Sequence, residues 1–444
     1  MKQKLKLFAC FAPALAIWLW PSLPLEPLQQ RTLGIFVAAA LLWVLEPVPV
    51  HATSILIIAL LLFGVSDQSP WSTPQSPPYA EVMASLASPV IVLFLGGFSL
   101  AIAAERTGVD QMLARRMMRP FAGNPVSMLW GVVLITALFS MFLSNTATTI
   151  LMLSMIGSLT RGAPLPAVFV LSIAVAANLG GIGTPIGTPP NAIALQYLSD
   201  QGTRVSFAKW MLFALPMVAA LLYVAVRVVR HYHPLPALVL DLDTAQTKLD
   251  TKGRIVLATL LVTALMWLTT DLHGLNAYVV AVFPIAVFSM SGLLGREELR
   301  RIDWGVIWLV AGGIALGRAT ETTGLASRLI ELALPENLPL LALAPMLLLI
   351  AWIFANFMSN TATANLLMPL AAAIGGEGTA WILVVVAVGT SLGMMFPIST
   401  PPNALVYATG CIRSRDLLKV GAAVGVAGLI MVLVWLLPLT RLLL

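Results

Sequence analysis

Two short polar phrases interrupt apolar sequence, and each does so twice. Ser144-Asn145-Thr146-Ala147-Thr148 recurs as Ser359-Asn360-Thr361-Ala362-Thr363. Gly187-Thr188-Pro189-Pro190-Asn191 recurs, in the same order, as Ser399-Thr400-Pro401-Pro402-Asn403. Ser, Thr and Asn are favoured N-caps, and Pro fits the first helical position. Each phrase therefore predicts a point where one helix stops and another starts. A helix N-terminus presents unpaired N–H groups and a partial charge of about +0.5. Four of them aimed at one place could hold a dianion without Lys or Arg, helped by Asn N–H donors and by Ser and Thr hydroxyls. The same breaks expose oxygen. Main-chain carbonyls near Gly187 and Ser399 and the side-chain oxygens of Asn145 and Asn360 suit a small hard cation.

A lone Ser-Asn-Thr in a membrane helix is usually packing glue, and a lone Thr-Pro-Pro-Asn is usually a kink. Their ordered recurrence argues for a shared site instead. Other matches support a duplication. Gly96, Gly97, Glu105, Thr107 and Gly108 match Gly312, Gly313, Glu321, Thr323 and Gly324 at a constant offset of 216. The Ser-Asn-Thr phrases are offset by 215 and the Pro-Pro-Asn phrases by 212.

The elements that position these breaks must lie in a bilayer. Of the 444 residues 59% are hydrophobic and only 10% charged, and the mean hydropathy is +0.94. Soluble domains carry about 25% charged residues. At about 20 residues per span the length allows roughly ten or eleven spans. Period-2 alternation is absent, which argues against an outer-membrane barrel. The net charge of +6 is read through topology and not as a nucleic-acid signal.

Apolar runs predict spans over 7–23, 33–45, 50–65, 89–107 and 125–143. The return leg 147–159 is short and suits a re-entrant hairpin. A broken span covers 167–198, and another span covers 210–229. After a polar connector, 231–254, spans are expected over 255–270, 278–294 and 304–320. A second hairpin, 338–374, a second broken span, 381–408, and a last span, 418–443, complete the chain. The basic start reads as a signal anchor, since no small-residue cleavage site is evident. With the N-terminus in the cytoplasm and both hairpins re-entrant, nineteen of the 25 Lys and Arg fall inside. The first hairpin then opens inward and the second outward, so the repeats are inverted. Residues 1–230 form the first repeat, with scaffold spans over 1–120 and the hairpin and broken helix over 121–230. Residues 255–444 form the second, divided in the same way at 330. The fold class is all-α and polytopic.

Other chemistry is thin. Glu105 and Glu321 read as structural partners of neighbouring Arg106 and Arg318. The four His are scattered, and Cys10 and Cys411 suggest neither a disulfide nor a metal site. No metalloprotease His pair, Walker Lys or nucleophile elbow is present, so the chain is not expected to be an enzyme, and no cofactor is expected.

At these residues the chain resembles the divalent-anion/sodium symporter family, whose members carry dicarboxylates, citrate or sulfate. The likeness covers nearly the whole chain. It includes Glu46-Pro47-Val48-Pro49, both Ser-Asn-Thr phrases, Gly183 through Asn191, and Phe396 through Asn403. The resemblance implies a homodimer of about eleven spans plus two re-entrant hairpins per protomer. A transport domain would slide against a dimerising scaffold, elevator-fashion, in a bacterial inner membrane among its lipids. It implies that Ser144, Asn145, Thr146, Thr188 and Pro189 form one half of the substrate pocket, and Ser359, Asn360, Thr361, Thr400 and Pro401 the other. One sodium is implied by Ser140, Ser144, Asn145 and Gly187. A second is implied by Asn360, Ser399 and the backbone of turn 355–358.

The symmetric half-sites suggest a C4 dicarboxylate such as succinate, malate or fumarate, with citrate and sulfate as alternatives. A buried dianion without basic side chains calls for bound cations, so at least two Na⁺ per dianion are expected. A sodium-independent exchanger would put basic residues in their place, and none stands at these phrases.

Overall fold

A computed structural model of the chain describes residues 2–159, 165–235, 249–333, 339–374 and 380–444. Every regular element among them is helical. Five of the described helical segments are long and apolar enough to cross a membrane by length and composition, and six shorter apolar helices accompany them.

Helix α1 (Lys2–Leu19) begins before the apolar run does and stops short of Pro21. Its polar start is used. Gln3 Nε2 donates to Pro47 O at 2.9 Å and Lys6 Nζ to Leu45 O at 2.8 Å, where α2 (Pro27–Leu45) runs out of partners for its last carbonyls. Glu46 takes a left-handed φ of 42°, since the residue before Pro47 is barred from continuing the helix. Helix α3 (Val50–Gly64) follows. The short α4 (Tyr79–Ala84) leads to α5 (Pro89–Thr107), which Gly108 ends at φ 66° and which α6 (Val109–Met118) follows.

The first hairpin is α7 (Pro125–Ser140) and α8 (Asn145–Leu159). The first broken span is α9 (Ala167–Ile182) and α10 (Pro189–Asp200), and α11 (Phe207–Tyr232) closes this half. The connector's residues 236–248 and Arg161 lie outside the described residues. The second half opens with α12 (Thr251–Leu268) and the single turn α13 (Thr270–His273). The span expected over 278–294 is two pieces, α14 (Ala277–Val280) and α15 (Val282–Met290), because Pro284 cannot donate to the preceding turn. Next come α16 (Arg296–Arg300), α17 (Trp304–Thr322) and α18 (Leu325–Ala333). The second hairpin is α19 (Leu340–Phe357) and α20 (Asn360–Ala373), and the second broken span is α21 (Ala380–Ser391) and α22 (Pro401–Ala408). The last apolar run is interrupted too. A π turn over Val432–Leu436 separates α23 (Ser414–Met431) from α24 (Leu437–Leu443), next to Pro438, which has no N–H to give.

Two glycines explain how the halves interlock. A Cβ on Gly312 of α17 would meet Ser54 Cβ of α3 at 2.6 Å, and one on Gly96 of α5 would meet Ala281 O at 2.6 Å. Each central helix thus packs backbone-close on an element of the other half. Ion pairs fasten one edge. Glu105 binds Arg301 at 2.6 Å and Arg106 binds Glu298 at 2.8 Å. The Glu105 carboxylate therefore pairs across the fold, where adjacency in sequence had suggested Arg106.

A cavity at four helix N-termini

All four breaks are where the sequence places them, and each opens a helix. Ser144 Oγ accepts from Ala147 N at 3.1 Å and Ser359 Oγ from Ala362 N at 3.2 Å, which caps α8 and α20. Thr400 Oγ1 accepts from Asn403 N at 3.3 Å and caps α22. Thr188 is the extended residue before α10 and makes no side-chain cap bond.

The gap within each broken span is held by its own Asn. Asn191 Nδ2 donates to Gly181 O, Ile182 O and Thr184 O at 3.1, 3.2 and 2.8 Å. Asn403 Nδ2 donates to Met394 O at 2.8 Å and Phe396 O at 3.0 Å. Met394 and Phe396 lie 212 residues after Ile182 and Thr184, the same offset that separates the two asparagines. Carbonyls freed by the break are thus satisfied inside an apolar region, as they must be. The two assemblies also touch, because Asn178 Nδ2 donates to Asn403 Oδ1 at 3.1 Å.

The four N-termini open on one cavity of about 300 Å³. Ser144, Asn145, Thr146, Thr188, Pro189, Ser359, Asn360, Thr361, Thr400 and Pro401 all line it. Gly187 and Ser399 line it as well. Among the described residues no Lys, Arg or His does, and the one ionisable lining residue is Asp303, the N-cap of α17. The opposite wall comes from Leu93, Phe94, Gly97 and Phe98 of α5 and from Val306 and Leu309 of α17.

The oxygens suggested for cations are also gathered. A Cβ on Gly181 would lie 2.8 Å from Gly187 O and 3.0 Å from Asn145 Oδ1, so those two oxygens share one small space. Ser140 is not on the cavity wall. Its hydroxyl lies behind Asn145, within hydrogen-bond reach of Asn145 Oδ1 and 2.6 Å from Ala177 O. On the other side Asn360 Oδ1 is buried with no donor. Ser399 Oγ donates to Phe396 O at 2.8 Å. Turn 355–358 is the last turn of α19 with its C-cap Met358, where the final helical carbonyls have no helical partner.

Sequence reasoning missed the roles of three asparagines and of one wall. Asn178 lines the cavity, and its signal was a single amide in an otherwise apolar run. Asn191 and Asn403 were noticed as parts of their phrases but not as staples. The wall from α5 and α17 carried no signal beyond its paired glycines.

Residues 40–389 match the family model described as citrate transporter. The chain belongs to the citrate transporter family. A sodium-dependent dicarboxylate transporter of Staphylococcus saprophyticus is 31% identical over 92% of this chain and 86% of its own length. The protein of the same description from Staphylococcus aureus is 30% identical over 90% of this chain and 85% of its own. These relatives agree with the resemblance to divalent-anion/sodium symporters. Two solved transporters share the fold. The Alcanivorax borkumensis YdaH transporter aligns with a TM-score of 0.56 at 15% identity, covering 92% of this chain and 97% of that one. Neisseria gonorrhoeae MtrF aligns with a TM-score of 0.53 at 13% identity, covering 87% and 95%. As a member of the citrate transporter family, this chain is an integral membrane transporter and not an enzyme.

Proposed function

We propose that the protein is a secondary active carrier that takes up C4 dicarboxylates such as succinate, malate or fumarate, coupled to sodium. The observation that carries this reading is the cavity itself. Four helix N-termini and two Ser-Asn-Thr phrases surround it, and no basic side chain does. Ser144, Asn145, Thr146, Thr188 and Pro189 would take one carboxylate, and Ser359, Asn360, Thr361, Thr400 and Pro401 the other. N–H groups and hydroxyls hold the oxygens, while partial positive charge at the helix ends favours the anion.

Partial charges alone leave a dianion costly at mid-membrane, and two Na⁺ would offset it. Ser140, Ser144, Asn145 and Gly187 would hold one. Asn360, Ser399 and the backbone of turn 355–358 would hold the other. The crowding of Asn145 Oδ1 with Gly187 O and the donorless Asn360 Oδ1 support this, since oxygen is what a hard ion prefers.

In the same reading, residues 1–230 and 255–444 are inverted repeats. The hairpins and broken helices move as a unit against a scaffold of the remaining spans, elevator-fashion. A second copy of the chain forms a homodimer through that scaffold, in a bacterial inner membrane with the N-terminus cytoplasmic. The family description favours citrate as a second reading. The test is saturable succinate uptake by the purified protein in proteoliposomes under an inward Na⁺ gradient. Uptake of citrate or sulfate in preference to succinate would replace the substrate named here.

A further inference from the structure

The two hairpins meet their surroundings differently. Every residue of α20 from Thr361 to Met368 is buried, and Pro369 with them. Along its face toward α17, Asn365 occupies a notch at Gly313, where any Cβ would overlap its amide. One turn on, a Cβ at Gly317 would overlap the Tyr197 hydroxyl of α10 and lie 3.1 Å from Pro369 Cγ. Asn365 Nδ2 donates to Leu309 O at 2.8 Å, so a hydrogen bond joins the second hairpin to α17.

The counterparts in the other half are apart. Asn365 and Pro369 correspond, at the offset of 215, to Ile150 and Ser154 of α8. Gly313 and Gly317 correspond, at 216, to Gly97 and Ala101 of α5. A Cβ on Gly97 would meet nothing within 4 Å. Ile150 is 52% exposed and Ser154 is exposed as well. The open space beside Gly97 is the cavity. The sequence thus supplies two similar docking faces, and only one is in use.

We propose that the face of α5 around Gly97 and Ala101 is the docking surface for Ile150 and Ser154 of α8. The two contacts alternate: Asn365 leaves the Gly313 notch as Ile150 enters the space over Gly97. The Asn178–Asn403 bond ties α9 to α22, and α8 and α20 pack on those broken spans, so both hairpins shift together and one contact forms at the expense of the other. Asn365 helps set the balance. Its Oδ1 is buried without a donor in the notch, a cost that leaving the notch relieves wherever the oxygen then meets a donor. This rests on the alternating-access reading above and adds to it the surfaces that exchange.

The test uses paired cysteines in full-length protein whose native Cys10 and Cys411 are replaced by serine. One protein carries Gly97→Cys with Ile150→Cys, and a second carries Ala101→Cys with Ser154→Cys. Both are reconstituted in liposomes, treated with Hg²⁺ and read by protection from a maleimide and by mass spectrometry. The expected result is intramolecular bridging in at least one pair, a loss of uptake of tenfold or more, and recovery on adding a thiol. Free thiols in both pairs of a monodisperse protein overturn the proposal, as does bridging that leaves uptake unchanged. Bridging in a protein whose parent takes up no dicarboxylate keeps the exchange of surfaces and removes the substrate assignment instead.

Discussion

Asn178 and Asn403, 225 positions apart, share a hydrogen bond of 3.1 Å at the back of the cavity. Asn403 uses its other end to hold Met394 O and Phe396 O. One amide therefore both closes the second broken span and ties it to the first. Asn403→Ala removes the donor to the buried Met394 carbonyl, at about 1–3 kcal/mol for a group left unpaired, while Phe396 O keeps its bonds from Ser399. We expect uptake to fall at least tenfold and the melting temperature in detergent to drop. Asn178→Ala removes the cross-link and one cavity-lining amide but leaves Met394 O paired, and is expected to lower the melting temperature less. Equal effects would show that the staple adds nothing beyond the bridge.

Asn145→Ala and Asn360→Ala each remove a cavity-lining amide at a hairpin tip. Uptake is expected to vanish in either, with normal amounts of folded protein in the membrane. Binding measured by thermal shift should weaken for the anion and for Na⁺ together. Wild-type substrate affinity in both variants would refute the assignment.

Ser140 touches Asn145 from behind, outside the cavity. Ser140→Ala should raise the Na⁺ concentration for half-maximal uptake several-fold while changing the succinate KM at saturating Na⁺ by less than about twofold. A rise in KM alone would make Ser140 part of the anion site.

These helix breaks were legible because capping and proline chemistry are local, and Ser144, Ser359 and Thr400 act through N–H groups three residues on. What was not legible depended on distance in sequence. Glu105 finds Arg301, 196 positions away, in preference to its neighbour Arg106. Asn178 looks like any polar residue tolerated in a span until Asn403 arrives beside it. Nothing in the apolar composition of α5 says which face borders the cavity; Gly97 does so, with nothing within 4 Å of where its Cβ would be.

Sodium coupling has a direct check. Succinate uptake under an imposed Na⁺ gradient is expected to exceed uptake in choline or K⁺ by tenfold or more. Equal uptake without Na⁺, rising only when dicarboxylate is loaded on the far side, would make the protein an exchanger.

The cavity's one ionisable lining residue, Asp303, sits on α17, while the four broken ends carry none. In the elevator reading proposed above, these cavity-lining ends carry no fixed charge across the bilayer when empty, and the membrane voltage does no work on them during the return. Loaded with a dianion and two Na⁺ they are neutral again. A third Na⁺ would leave one net charge in transit, worth about 2.3 kcal/mol per 100 mV. Whether uptake draws current therefore counts the ions, and a voltage clamp reads the stoichiometry without any isotope.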